Sequence, residues 1–218
     1  MSGHGGPDPG AVYRSGGRKD CEYEYAYDIA LRLARNLISH GATTYLIVRD
    51  PNDGIRSGSY LKNDKDEICW RSQKIPRAQK KRLGQRAKAI NKLYAYHKKR
   101  GVKDENQRTI MLHIDSRKVN KRIDIFFYYY PGNKKGKKFA TTLQKSIRSK
   151  YKEYQKNRGY TGTIKARDLF MLRETKTTST YIELGNIKNP MDQKRFLVEN
   201  NRQAIANWLF SGVVSAAK

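Results

Sequence analysis

Three residue types that usually carry chemistry are scarce in this chain of 218 residues: it has four histidines, two cysteines, and 20 Asp and Glu against 46 Lys and Arg. Two cysteines cannot build a disulfide framework, and Cys21 and Cys69 are open to reading as one bridge or as two free thiols. No stretch approaches the roughly 18 apolar residues of a membrane-spanning helix. No signal peptide and no internal repeat is visible. The shortage of acid leaves a net charge of +26, which describes a surface attractive to polyanions. Dense runs at Lys80-Lys81-Arg82, Lys98-Lys99-Arg100 and Lys134 to Lys138, with Tyr128-Tyr129-Tyr130 available for stacking, put a nucleic-acid-binding protein among the readings. The basic residues are spread over several elements and match no familiar nucleic-acid module, which disfavours that partner. A solvated cationic surface is the plainer reading.

What is present alternates between strand and helix patterns. Cys21 to His40 has an amphipathic helical period, with Ala26, Ile29, Leu33 and Leu37 on its inner stripe. Glu22 extends that stripe by one turn, whereas Glu24 faces roughly the opposite way. A strand is expected at Thr43 to Val48, then a polar insertion at about 50–78, which reads as a surface excursion or as a loop beside a cleft. A helix at Gln79 to Lys99, strands at Thr109 to Asp115 and Ile123 to Tyr130, a helix at Ala140 to Tyr154 and a strand at Thr178 to Leu184 follow. A C-terminal helix starts at Asn189-Pro190, with Ile205, Leu209 and Val213 on its packing face. The order predicts a single α/β domain over residues 1–218, a three-layer sandwich with a largely parallel or mixed central sheet and helices on both faces.

Within that frame one acid needs a reason. In Ser179 to Leu184, alternation puts Ser179, Tyr181 and Glu183 on one face and Thr180, Ile182 and Leu184 on the other, so Glu183 ends a buried strand. A buried carboxylate requires a cation, a metal or a catalytic proton to handle. His4 lies in a Gly/Pro-rich loop, His113 in the apolar run Thr109 to Asp115, and Glu22 on the inward face of a helix. Taken singly, these read as a loop residue, a core histidine and an acid placed on a helix dipole. Together, two imidazoles and a carboxylate form the three-ligand set of a catalytic zinc site with its fourth position open.

The segments Gly3 to Ala11, Glu22 to Leu33, Leu112 to Asp115 and Tyr181 to Asp192, in that order, resemble the zinc-dependent N-acetylmuramoyl-L-alanine amidases that cut bacterial peptidoglycan. The resemblance spans almost the whole chain. It implies zinc ligands at His4, Glu22 and His113 and a catalytic glutamate at Glu183, with Arg49-Asp50 and Leu83, Arg86 and Asn91 as weaker echoes. It further implies peptidoglycan as substrate, anionic envelope polymers as possible partners, and a periplasmic or cell-wall location. An inactive peptidoglycan-binding relative is the alternative within the family. Asn186 stands where the family motif has Phe, and Met111-Leu112-His113-Ile114-Asp115 where it has Ser-x-His-x-Asn, which bears on the pocket lining. In the family a hydrophobic strand precedes the first histidine; here only Met1-Ser2-Gly3 does, so a truncated first strand is expected.

Overall fold

A computed structural model describes residues 1–217. After the His4 loop comes a hairpin of β1 (Val12–Ser15) and β2 (Arg18–Cys21), then α1 (Glu22–Ser39). The short strands β3 (Val48–Arg49), β4 (Ile68–Cys69) and β5 (Gln73–Lys74) form a small antiparallel sheet of their own. There follow α2 (Gln79–Lys98), β6 (Arg108–Asp115), β7 (Phe126–Tyr129), α3 (Lys134–Tyr154), β8 (Ile164–Ala166), α4 (Phe170–Glu174), β9 (Thr178–Asn186), α5 (Pro190–Leu197) and α6 (Glu199–Ala217). The central sheet has the order β6-β9-β7-β8, parallel at both outer pairings and antiparallel between β9 and β7. Met1 to Gly3 lie along the free side of β6: Leu112 N donates to Met1 O (2.9 Å) and Gly3 N donates to Leu112 O (2.8 Å). The mixed sheet with helices on both faces is the α/β sandwich that the element order predicts.

Period-two alternation sorts the strands between two cores. Leu112, Ile114, Phe127, Ile182 and Leu184 point toward α1, α3, α5 and α6. Met111, Phe126 and Tyr128 point the other way, toward α2, α4 and the small sheet. Burial of each large apolar side chain contributes roughly 1.5–3 kcal/mol. On α3, Phe139, Ala140, Leu143, Ile147 and Tyr151 make one buried stripe, and α6 packs against both α1 and α3 with Ile205, Ala206 and Leu209. His113, Tyr181 and Glu183 emerge on the α2 side, because their neighbours in sequence fill the α1 side.

Several elements differ from the sequence reading. Thr43 to Val48 is not a strand of the central sheet: only Val48 and Arg49 pair, with Cys69 and Ile68. Residues 43–47 instead line an apolar cleft of about 520 Å³ together with α1, α2 and the edge of β6. The helix expected from Ala140 starts at Lys134, where Asn133 caps it by accepting from Gly136 N at 2.8 Å. The C-terminal helix is broken at Val198 into α5 and α6. The break is stabilised by the buried Arg202 guanidinium, which donates to the carbonyls of Phe196 (2.6 Å) and Leu197 (3.3 Å). Glu24, on the opposite face of α1 from Glu22, is just as deeply buried. Within the polar insertion, Leu61 is also fully buried. Cys21 and Cys69 are both buried free thiols, and no described helix is long and apolar enough to cross a membrane.

Candidate functional site

Four side chains singled out in the sequence meet at one end of β6 and β9. His113 and Glu183 are register partners across these parallel strands. Glu22, the first residue of α1, reaches in beneath them, and the loop after Gly3 brings His4. The ligand atoms of His4, Glu22 and His113 all lie within 4.8 Å of one another. Glu22 Oε1 is the hub: it is 3.0 Å from His113 Nδ1 and 3.5 Å from His4 Nε2, and it accepts the Ile114 N–H at 3.0 Å. Glu22 Oε2 accepts from Ala11 N at 2.7 Å, which ties the loop to the helix.

Two glycines make this closeness possible. A Cβ at Gly3 would sit 1.8 Å from the His113 ring. A Cβ at Gly10 would sit 2.5 Å from Glu22 Oε2 and 2.9 Å from the His4 ring, at a positive φ of 66° that side chains resist.

The surrounding groups orient the two imidazoles. His4 Nδ1 is bonded to Asp8 Oδ2 at 2.8 Å, which leaves Nε2 turned toward Glu22. Asp8 is itself gripped by Arg82, whose Nε and Nη2 approach Oδ2 at 2.9 and 2.8 Å. His113 stacks on Tyr181 with centroids 3.9 Å apart and 11° between planes, and its ring meets that of His4 edge-on at 4.9 Å. Buried Arg86 donates to the Gly3 carbonyl, holding the chain just before His4. Asp8 and Tyr181 were not singled out as site residues by sequence reasoning. Both carried a signal: Asp8 shares the glycine-rich loop with His4, and Tyr181 shares the strand face of Glu183.

Charge and burial pull these groups in different directions. Burial pushes the His113 imidazole down to about 4. Burial also opposes charge on His4, but the Glu22 carboxylate and the Asp8 hydrogen bond prevail and raise it. For Glu22 the same balance runs in reverse: burial would raise it, and the His4 charge and the His113 hydrogen bond carry it below the usual carboxylate range. For Glu183 the compensation from Tyr181 and Arg117 is outweighed. Burial, then the nearby Glu22 and Asp115 charges, push it well above the carboxylate range, and its Oε2 has no hydrogen-bond partner among the described residues. Two imidazole nitrogens and an ionised carboxylate converging within one ion's coordination sphere suit zinc. An unpartnered carboxyl on the same face suits proton transfer.

A protein-family model described as N-acetylmuramoyl-L-alanine amidase matches residues 1–215. No curated protein sequence matches. Among solved structures, the CwlD amidase of Clostridioides difficile, determined in complex with the GerS lipoprotein, aligns with a TM-score of 0.66 at 18% identity, covering 99% of this chain and 94% of that one. An N-acetylmuramoyl-L-alanine amidase from Clostridium difficile 630 aligns at 0.65 and 22% identity, covering 98% and 91%. The amidase Ami1 of Mycobacterium smegmatis aligns at 0.67 and 16% identity, covering 99% and 94%. At these identities the structural likeness speaks to the fold.

Proposed function

The chain belongs to the N-acetylmuramoyl-L-alanine amidase family, and from that premise we propose that it is a zinc-dependent hydrolase of the amide joining N-acetylmuramic acid to L-alanine in bacterial peptidoglycan. The observation that carries the reading is the convergence of His4, Glu22 and His113 on the sheet face that also presents Glu183. A zinc ion held by His4, Glu22 and His113 would supply Lewis-acid polarisation of the scissile carbonyl and a more acidic water. Glu183, with an oxygen no other group occupies, is the carboxyl suited to relay a proton between the attacking water and the leaving amine, once a cation at the neighbouring ligands offsets the burial and like charge that favour its protonated form. Asp8 holds His4 in the tautomer that presents Nε2. The Tyr181 ring fixes the plane of His113.

In this reading residues 1–218 are one catalytic domain acting in the periplasm or cell wall, and the +26 charge retains it on anionic envelope polymers. The buried position of Tyr128 removes one of the three tyrosines offered for stacking on nucleic acid. The test is metal content measured together with muropeptide analysis of digested peptidoglycan. About one zinc per chain and chelator-sensitive release of stem peptides is the expected result; zinc with no cleavage would replace the enzyme by an inactive wall-binding relative. Glu183→Gln should retain zinc and lose most turnover, and near-normal activity would remove Glu183 from the proton-transfer role.

A further inference from the structure

Acid is scarce in this protein, yet six of its 20 acidic residues gather at one place behind the His4 loop, none of them among the His4, Glu22 and His113 set. Glu24 on α1 and Asp50, Asp53, Asp64, Asp66 and Glu67 of the segment before β4 stand together. The ligand atoms of Glu24, Asp64 and Glu67 lie within 4.8 Å of one another, as do those of Asp50, Asp53 and Asp64. One cation, Arg56, bridges Glu24 Oε2 and Asp53. No salt bridge reaches Asp50, Asp64, Asp66 or Glu67 among the described residues. Like charges this close repel, so a protein with 46 basic side chains and so few of them here leaves the cluster unneutralised.

Two buried oxygens make the cluster more than a group of surface acids. Glu24 is fully buried, and its Oε1 has no partner among the described residues. Asp50 is 3% exposed; its Oδ1 accepts the N–H groups of Asn52 (2.8 Å) and Asp53 (2.7 Å), while its Oδ2 has no partner. An unpaired buried carboxylate oxygen carries a desolvation cost that only a cation or proton removes. Burial pushes Glu67 to about 8.

We propose that Glu24, Asp64 and Glu67 hold a calcium ion, with Asp50 and Asp53 adjoining it through the shared Asp64. The donors are all oxygen, which selects a hard cation over zinc. Oxygens at about 2.4 Å from one ion lie no more than about 4.8 Å apart, and calcium accepts several carboxylates at that distance where magnesium keeps its waters. The site joins three pieces of chain. Glu24 lies two residues along α1 from Glu22, and Asp64 belongs to a segment without regular structure. Glu67 Oε2 accepts the Gly6 N–H at 2.5 Å, in the loop that carries His4. Calcium here fastens the insertion to the helix and braces the His4 loop from behind.

The experiment uses the full chain loaded with zinc, titrated with Ca²⁺ by calorimetry and with Tb³⁺ by luminescence excited through its tyrosines. The expected result is one Ca²⁺ per chain, Tb³⁺ emission displaced by Ca²⁺, and a melting temperature that rises with Ca²⁺. Asp64→Asn changes an exposed side chain, and Glu67→Gln keeps an oxygen for Gly6. Each should weaken Ca²⁺ binding at least tenfold, while His4→Ala leaves it within a factor of two. Absence of Ca²⁺ binding at millimolar concentration overturns the proposal. So does a Ca²⁺ response that survives Asp64→Asn and Glu67→Gln but disappears in His4→Ala.

Discussion

Replacing Asp8 by alanine tests whether the hydrogen bond behind His4 matters as the geometry says. Asp8 Oδ2 lies 2.8 Å from His4 Nδ1 and 2.9 Å from Arg82 Nε, and Oδ1 accepts from Gly10 N at 3.3 Å. Removing the carboxylate frees the imidazole to rotate and leaves the Arg82 guanidinium, mostly buried, without its anion. Loss of such an outer hydrogen bond typically costs 10- to 100-fold in metal affinity, or about 1.4–2.7 kcal/mol. Asp8→Asn keeps an acceptor oxygen but not the charge, so its loss should fall at the low end of that range. Arg82→Ala, which leaves Asp8 in place, should cost less than either. The sign of the pH effect follows from the same bond. Asp8 helps raise His4, so at acidic pH it also strengthens the proton that competes with zinc. The deficit of Asp8→Ala should therefore be largest near pH 8 and shrink toward pH 6. Competition against a chromophoric chelator at both pH values measures it. Zinc affinity in Asp8→Ala within twofold of the parent at pH 8, with the fold intact by circular dichroism, would refute the reasoning.

Other perturbations address the frame. Gly10→Ala meets Glu22 Oε2 at 2.5 Å with φ at 66°; a side chain in that backbone region costs about 1–2 kcal/mol. A melting temperature lower by at least about 2–4 °C per kcal/mol, with weakened zinc binding, is expected in calorimetry. Asp28 accepts Arg32 Nε and Arg202 Nε at 2.7 Å each, all three buried. Asp28→Ala leaves buried Arg202 with no anion and Arg32 with only the more exposed Glu199, and should cost about 3–5 kcal/mol in urea unfolding. In metal-free protein, His113 has a folded value of about 4 against about 6.5 when unfolded. The unfolded chain then binds more protons between those values, and up to about 3 kcal/mol is lost as pH falls through that window. His4 is raised, so its contribution is present below pH 6.5 and lost above it. Glu67 and Glu183, both shifted upward by burial, act in the opposite sense to His113, so the check is a difference: the urea midpoint of the metal-free parent relative to that of His113→Gln should fall as pH drops from about 6.5 to about 4.5.

Much of this arrangement was legible because it depends on local pattern. The stripe on α1, the alternation that turns Glu183 away from Ile182 and Leu184, and the Asn189-Pro190 start of α5 each follow from spacing and side-chain type. What was not legible depends on distant partners. Thr43 to Val48 has strand composition, but Val48 pairs with Cys69 and the residues before it line a cleft. Lys134 to Lys138 is a dense basic run with no apolar stripe, and only the Asn133 cap reveals the first turn of α3. The α6 sequence continues a helical period through Val198, and the break is held by Arg202, which answers to Asp28 on α1. The helical period turns Glu24 away from the Glu22 stripe, but it does not show that the chain between β3 and β4 folds back over that face.

The register of β6 against β9 also bears on when the molecule becomes competent. His4, Glu22, His113 and Glu183 are spread over 180 positions of the chain, and they meet only after Met1 to Gly3 have docked along β6 and β9 has slotted between β6 and β7. Such non-local pairings carry a large loop-closure entropy and are slow to form. A nascent or nicked chain lacking β9 holds no Glu183, and one lacking β6 holds neither His113 nor the edge that seats the His4 loop. Assembly of the four side chains thus depends on the whole sheet: neither half of the chain can bring them together alone.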